Sequence, residues 1–286
     1  MYDIYFDALN TSNQILHMSD MDSARLESEV LLSIAIEMDR YRLVLVYNKV
    51  IHYKILKKLM ALLERRSQNE PIAYLKEEKD FYSLSIYVNR NVLIPRNESE
   101  LIPEYFDRKG LNNSSVLELC SGSGCIGLSL LSMNRELFLV ASDIEYNTLK
   151  VEAKNSKLKG FVSMRLLLSD MTESIPFDLF DYILCNPPYI AESDLSHLMK
   201  DVKSFEPLIA LNGGEDGFIF YRYLAENSVS YLKQFGELIV EIGAGQKERV
   251  ASIFKVKGFH LKEMIVDLSG IERTLIFGRK NNKVYK

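Results

Sequence analysis

The chain has 286 residues, 47% of them apolar and 26% charged, with a formal net charge of −4. That length suits two domains, and the composition suits a soluble globular protein with a sizeable core. It excludes the strongly basic footprint of a protein that grips long nucleic acid, and the longest apolar runs fall far short of a membrane span.

The N-terminus, Met1 to Asp7, is acidic and aromatic. It lacks a basic segment followed by an apolar one, so a signal peptide is not expected and a cytoplasmic location is. Residues 1 to about 70 read as helices. Asp20 or Asp22 can cap a helix in which Leu26, Val30, Leu31, Ile34 and Ala35 recur at helical spacing. A second helix, from about Val50 to Arg66, carries Ile51, Ile55, Leu56, Leu59, Leu62 and Leu63 on one stripe. A helical bundle over residues 1–72 is predicted.

Pro71 ends the bundle. Phe81, Leu84, Ile86 and Val88 alternate partially, and Asn89-Arg90-Asn91 suggests a turn before Val92-Leu93-Ile94. Residues 73–95 are read as a linking β-hairpin.

From Ser114 onward short apolar runs alternate with amphipathic ones. Strands are expected at 116–119, 137–141, Ser163 to Leu168, 182–185, 237–241, 259–266 and 274–277. Alternating strand and helix means an α/β domain with a mostly parallel sheet, here over residues 96–286. The last two strands are separated only by Asp267 to Arg273 and must pair as an antiparallel edge hairpin.

Two loops carry chemistry. The first follows the first strand: Cys120-Ser121-Gly122-Ser123-Gly124-Cys125-Ile126-Gly127 satisfies G-x-G-x-x-G at the start of a helix. The next strand ends at Asp143, whose carboxylate can accept from two ribose hydroxyls. The third ends at Ser169-Asp170-Met171, where an adenine would lie. The arrangement suits an adenosine-bearing cofactor without choosing between a dinucleotide and S-adenosylmethionine.

The second loop, Asn186-Pro187-Pro188-Tyr189, follows the fourth strand. Two prolines make it stiff. A planar amide or ring amine is a weak nucleophile because its lone pair is delocalised. The Asn186 side-chain oxygen and the Pro187 carbonyl can both accept from one NH2 group, holding the nitrogen towards a methyl donor, with the Tyr189 ring against the planar group. The catalytic candidates are therefore Asn186, Pro187, Pro188 and Tyr189. By itself this loop leaves amide and nucleobase substrates equally open.

The order of these motifs resembles the HemK/PrmC family of glutamine methyltransferases over nearly the whole chain. Arg65-Arg66 with Glu70-Pro71-Ile72-Ala73-Tyr74, Val92-Leu93-Ile94-Pro95-Arg96 with Glu98 and Glu100, Phe205-Glu206-Pro207, Gly213 to Gly217, Tyr221-Arg222, Glu241-Ile242-Gly243 and Asp267 to Gly270 follow in family order. The resemblance implies a Rossmann-like class I methyltransferase sheet and S-adenosyl-L-methionine as cofactor. It implies cofactor contacts from Cys120, Ser121, Gly122, Ser123, Gly124, Asp143, Asp170, Met171 and Asn186. The substrate it implies is the glutamine of the Gly-Gly-Gln motif in class-1 peptide chain release factors, methylated on N5, with the helical domain helping to grip the factor. The alternatives are a glutamine methyltransferase of a large-subunit ribosomal protein and a DNA or RNA amino-methyltransferase.

A monomer is the working expectation, with no nucleic-acid partner, no membrane and no metal. Cys120, Cys125 and Cys185 are read as free thiols, and no two of the four histidines share ligand spacing. Three positions depart from the family pattern. Cys120 stands where glycine is usual and, demanding an ordinary φ, is expected to shift the glycine loop slightly. Asn97 replaces a proline and is expected to soften its loop, and Glu77 stands where glycine is common. Arg96, Glu98 and Glu100 are read as an ion-pair network joining the hairpin to the α/β domain. The Gly213-Gly214 loop is left between a plain turn and a functional one.

Overall fold

The computed structural model describes residues 4–19, 21–162, 164–176 and 179–279. The chain divides into two compact units, Met1–Glu78 with Met199–Phe205, and Lys79–Leu198 with Glu206–Lys286.

The first unit is helical: α1 (Tyr5–Met18), α2 (Ala24–Ile36), α3 (Tyr53–Ser67) and the short α4 (Ile72–Lys76). Leu9 and Leu16 of α1, Leu31 and Leu32 of α2 and Leu59 and Leu63 of α3 are almost wholly buried in one core. The cap of α2 is Ser23 rather than Asp22, and Asp20 lies outside the described residues. The α3 helix begins later than Val50 because His52 caps it, its Nδ1 accepting from the Lys54 amide at 3.2 Å. Arg66 is buried and paired: Nε and Nη2 donate to both oxygens of Glu27 on α2, at 2.7 and 2.9 Å, and Nη1 donates to the Glu70 carbonyl. Arg65 makes the same two-pronged contact with Glu70. The Arg-Arg and Glu-Pro segments thus lock the end of α3 with charge-assisted pairs.

A hairpin of β1 (Glu78–Phe81) and β2 (Leu84–Tyr87) follows, all but its first residue in the second unit. Its turn is Tyr82-Ser83, not Asn89–Asn91. The latter is a local turn in which Asn89 Oδ1 accepts from the Asn91 amide at 2.9 Å, and Val92–Ile94 is not a strand. Tyr82 takes φ +53, the backbone a tight reversal needs, which apolar alternation alone did not reveal. After α5 (Leu101–Lys109) come β3 (Ser115–Leu119), α6 (Cys125–Met133), β4 (Phe138–Asp143), α7 (Tyr146–Lys159), β5 (Met164–Leu168) and β6 (Phe180–Cys185). The predicted start of β5, Ser163, lies outside the described residues. Then follow α8 (Lys200–Phe205, within the helical unit), α9 (Ile219–Asn227), β7 (Leu232–Glu241), α10 (Lys247–Val256), β8 (Phe259–Val266) and β9 (Glu272–Arg279).

The seven-stranded sheet has the order β5-β4-β3-β6-β7-β9-β8. β3 to β7 are parallel, and β9 pairs antiparallel with both β7 and β8. This is the α/β architecture with an antiparallel edge hairpin that the strand spacing predicted. Asp267 closes that hairpin: its amide donates to the Ile271 carbonyl and its carboxylate accepts from Ser269, Ile271 and Arg273. Crossovers between parallel strands are right-handed as a rule, so helices of segments running in opposite directions along the sheet belong on opposite faces. The chain runs outward from β3 to β4 and β5, then returns to β6 beside β3, so the order reverses between β3 and β6. A crevice opens at the carboxyl ends of strands at such a point.

Two of the departures from the family pattern share one cause. Cys120 has φ +56 and Glu77, at the end of α4, has φ +57. Both keep the left-handed backbone a glycine would have. The expectation that Cys120 takes an ordinary φ is therefore wrong: the turn into α6 dictates the backbone and the side chain accepts the strain, about 1–2 kcal/mol per residue.

Two stability measurements check this description. Arg66→Ala strands the Glu27 carboxylate and is expected to cost about 3 kcal/mol in urea unfolding; a loss below about 1 kcal/mol contradicts the pairing. Cys120→Gly is expected to leave stability unchanged or slightly raised, because relief of strain offsets glycine's extra chain entropy. Cys120→Val, β-branched at the same φ, is expected to lose more than about 1 kcal/mol. Equal losses for the two variants contradict the strain.

Candidate active site

Strand register assembles the site. Leu119 is level with Ser142 across β3 and β4 and with Cys185 across β3 and β6. The next residues along, Cys120, Asp143 and Asn186, therefore leave the sheet side by side. The ladder carries on past the strands, with the Ser121 amide donating to the Ser142 carbonyl and the Ser169 amide to the Asp143 carbonyl, both at 3.0 Å. A cavity of about 460 Å³ lies at this edge, within the range of small-molecule sites.

Most of the predicted site residues line it: Cys120, Ser121, Gly122, Ser123, Asp143, Asp170, Met171, Asn186 and Pro188. Gly124, Pro187 and Tyr189 are not among its lining residues. Gly124 begins α6 at φ +77, and a Cβ there would lie 2.6 Å from the Glu152 Cγ. Gly127 is required for closeness rather than conformation: its Cβ would lie 2.2 Å from Glu118 Oε2. Glu118 and Glu152 are buried behind the glycine loop, and burial raises both carboxyl pKa values. Glu152 accepts from Ser121 Oγ at 2.5 Å, and Asn155 Nδ2 donates to the Ser123 carbonyl, so α7 braces the loop from behind.

Asp143 points both carboxylate oxygens into use: Oδ2 accepts from the Gly122 amide at 3.0 Å and Oδ1 from the Glu145 amide at 3.1 Å. Burial raises its pKa while those two hydrogen bonds oppose the rise. Each oxygen keeps a second lone pair for a further donor. On the same cavity, Cys120 Sγ and Met171 Sδ meet at 3.7 Å, a soft, weakly polar surface against which a flat ring can pack.

The Asn-Pro-Pro-Tyr loop is clamped from behind. The Tyr189 carbonyl accepts from Gln246 Nε2 at 3.0 Å, and the Gly213 amide donates to the Ile190 carbonyl at 2.8 Å. A Cβ on Gly213 would sit 2.8 Å from Tyr189 Cα, and one on Gly217 2.6 Å from the Tyr189 carbonyl oxygen. The Gly213–Gly217 loop is therefore a backing plate for the Asn186 loop, which resolves the reading left open. Tyr189 itself packs against the core of the unit.

Sequence reasoning missed four residues here. Arg96 Nη2 donates to Glu206 Oε1 at 2.7 Å, and Glu206 Oε2 accepts from the Ile94 amide. The ion pair thus runs to Glu206, and among the described residues none is recorded for Glu98 or Glu100, contrary to the expected network. Ser99, between those two acids, donates to buried Glu241 at 2.5 Å and accepts from Asn186 Nδ2 at 3.2 Å. Gln246, the fourth, offered no signal. Glu206, Glu241 and Ser99 sat inside motifs that read as family markers without a role.

Comparison with known proteins gives the family. Residues 7–76 match the family described as PrmC N-terminal domain, and residues 97–203 match the Methyltransferase small domain. The chain is 36% identical to a protein of Thermodesulfovibrio yellowstonii named release factor glutamine methyltransferase, over 78% of this chain and 82% of that one. It is 34% identical to a Geobacter sulfurreducens protein of the same name, over 89% of each. The fold matches a methyltransferase structure from Pyrococcus furiosus with a TM-score of 0.51 at 16% identity, covering 70% of this chain and 90% of that one. At these identities and coverages, the chain belongs to the release factor glutamine methyltransferase family.

Proposed function

We propose that the protein transfers a methyl group from S-adenosyl-L-methionine to the side-chain amide nitrogen of the glutamine in the Gly-Gly-Gln motif of class-1 peptide chain release factors, acting in the cytoplasm. The observation that carries this reading is the juxtaposition of Asn186 with Cys120 and Asp143 on one cavity wall. The residues present suit the cofactor. Asp143 has spare lone pairs for two ribose hydroxyls. Cys120 and Met171 offer a soft surface for an adenine, and Ser121, Gly122 and Ser123 supply small, polar loop positions close to the ligand. When bound, the cofactor supplies an electrophilic methyl group on a sulfonium.

The chain's own part is to bind and orient. Asn186 Oδ1 and the Pro187 carbonyl accept the two amide protons of the target, which holds the nitrogen still and favours charge building on it. Pro188, on the cavity wall, narrows the space for the planar group. No strong general base is required if the proton leaves after transfer. Fixing two reactants in line can supply roughly 7–11 kcal/mol of a barrier, so positioning does most of the work. The helical unit is assigned to gripping the release factor.

Incubation with methyl-labelled S-adenosylmethionine tests the reading. Label is expected on a release factor and not on the same factor with its motif glutamine changed to alanine, nor on ribosomal proteins, DNA or RNA. Equal label on the glutamine-to-alanine factor removes the glutamine assignment. Asn186→Ala is expected to keep its circular dichroism spectrum and lose roughly 10²-fold or more in kcat/KM; near-normal turnover refutes the role of the loop.

A further inference from the structure

An asparagine amide serves this chemistry in only one of its two orientations. Turned by a half-rotation, Asn186 would present an NH2 to the substrate's NH2, donor against donor. Something must hold the oxygen outward, and the structure contains the device. Ser99 and Glu241 are both almost wholly buried, at 2% and 1% exposure. Ser99 Oγ donates its single proton to Glu241 Oε2 at 2.5 Å. That leaves the Ser99 oxygen with lone pairs only, and Asn186 Nδ2 donates to it at 3.2 Å. Among the described residues no donor reaches Asn186 Oδ1, and the side chain lines the cavity together with Ser99.

We propose that Ser99 and Glu241 are positioning residues for methyl transfer: the buried carboxylate fixes the direction of the Ser99 hydroxyl, which fixes the Asn186 amide with its nitrogen inward and its oxygen towards the substrate. This rests on the reading of Asn186 as acceptor for the target amide. The device is built across three elements, Ser99 from the turn before α5, Asn186 after β6 and Glu241 at the end of β7. The reversed orientation sets Asn186 Oδ1 against the Ser99 oxygen, two acceptors without a proton between them, which loses the hydrogen bond and leaves buried lone pairs unpaired.

The arrangement works only while Glu241 is an acceptor. Its pKa is pushed up to about 7, chiefly by burial and further by Glu98, against the lowering effects of Ser99, Arg273 and Asn186. The other titratable groups that feel it are Tyr189, Cys125 and Tyr221, whose hydroxyl donates to the Glu241 carbonyl. Once protonated, the Glu241 carboxyl can donate to Ser99, the hydroxyl is free to reverse, and Asn186 loses its orientation. Turnover is therefore expected to rise with pH through the neutral range as Glu241 ionises.

Three variants test this: Ser99→Ala, Ser99→Thr and Glu241→Gln, assayed for kcat and KM against pH with a release factor. Ser99→Ala is expected to lower kcat roughly tenfold or more with KM for the factor within about twofold, and Ser99→Thr to restore it. In Glu241→Gln the rise of kcat through neutral pH disappears. A kcat for Ser99→Ala within about twofold of wild type, or an unchanged pH profile in Glu241→Gln, overturns the proposal. Hydrogen exchange of the Asn186 side-chain amide, followed by NMR in nitrogen-15-labelled protein, gives a readout that needs no substrate. Slower exchange in wild type and Ser99→Thr than in Ser99→Ala supports the device even if no release factor is methylated, a result that removes the substrate reading alone. Equal exchange in all three overturns it.

Discussion

The parallel register of β3 with β4 and β6 is the constraint on which the site depends. Because Leu119 is level with both Ser142 and Cys185, the next residues along, Cys120, Asp143 and Asn186, emerge together at the strand ends although they lie far apart in the chain. A slip of one residue in either pairing would turn every side chain of that strand to the other face. The register is held by burial on both faces: Val116, Leu117 and Leu119 of β3, Leu139 to Ala141 of β4 and Ile183 to Cys185 of β6 are all almost inaccessible, as a parallel sheet between helical layers requires. Core packing thus sets the geometry of this edge, since the same apolar contacts that stabilise the sheet bring Cys120, Asp143 and Asn186 to one cavity.

Around that fixed edge the protein spends strain and buries polar groups where small displacements would matter. Cys120 and Met171, with φ of +56 and +46, are both left-handed, both line the cavity and touch through their sulfurs. Such strain persists only where the surroundings over-determine it. Glu118 and Glu152 behind the glycine loop, and Glu241 behind Asn186, are carboxyl groups whose pKa values burial raises. Each touches a part of the site edge: the start of α6, the glycine loop, the Ser99 hydroxyl. The Asn186 loop is stiffened by the Gly213–Gly217 loop, whose bare α-carbons let it lie against the Tyr189 backbone.

Much of this was legible in the residues. Strand and helix alternation from Ser114 predicts the sheet and its antiparallel edge, because apolar periodicity directly reports which faces are buried. The two loops were legible because their residues are constrained locally: glycines for left-handed backbone, prolines for stiffness, an acid at the end of a strand. The rest depends on long-range geometry. The hairpin was displaced because Tyr82 reverses the chain without glycine or asparagine at φ +53. Cys120 departs from its ordinary φ because the tertiary structure overrides its local preference. Ser99, Glu206, Glu241 and Gln246 act through partners far away in sequence, Ser99 and Asn186 being 87 residues apart, and no spacing rule reaches across such a gap.

The most direct test of the account is to locate the added methyl group. After incubation of the protein and S-adenosylmethionine with a release factor, tandem mass spectrometry of the peptide containing Gly-Gly-Gln should place one methyl group on the glutamine side-chain nitrogen. A methyl group on another residue of that peptide, or on another part of the factor with the glutamine unmodified, would contradict the assignment of Asn186 as the acceptor that holds a planar amide at this sheet edge.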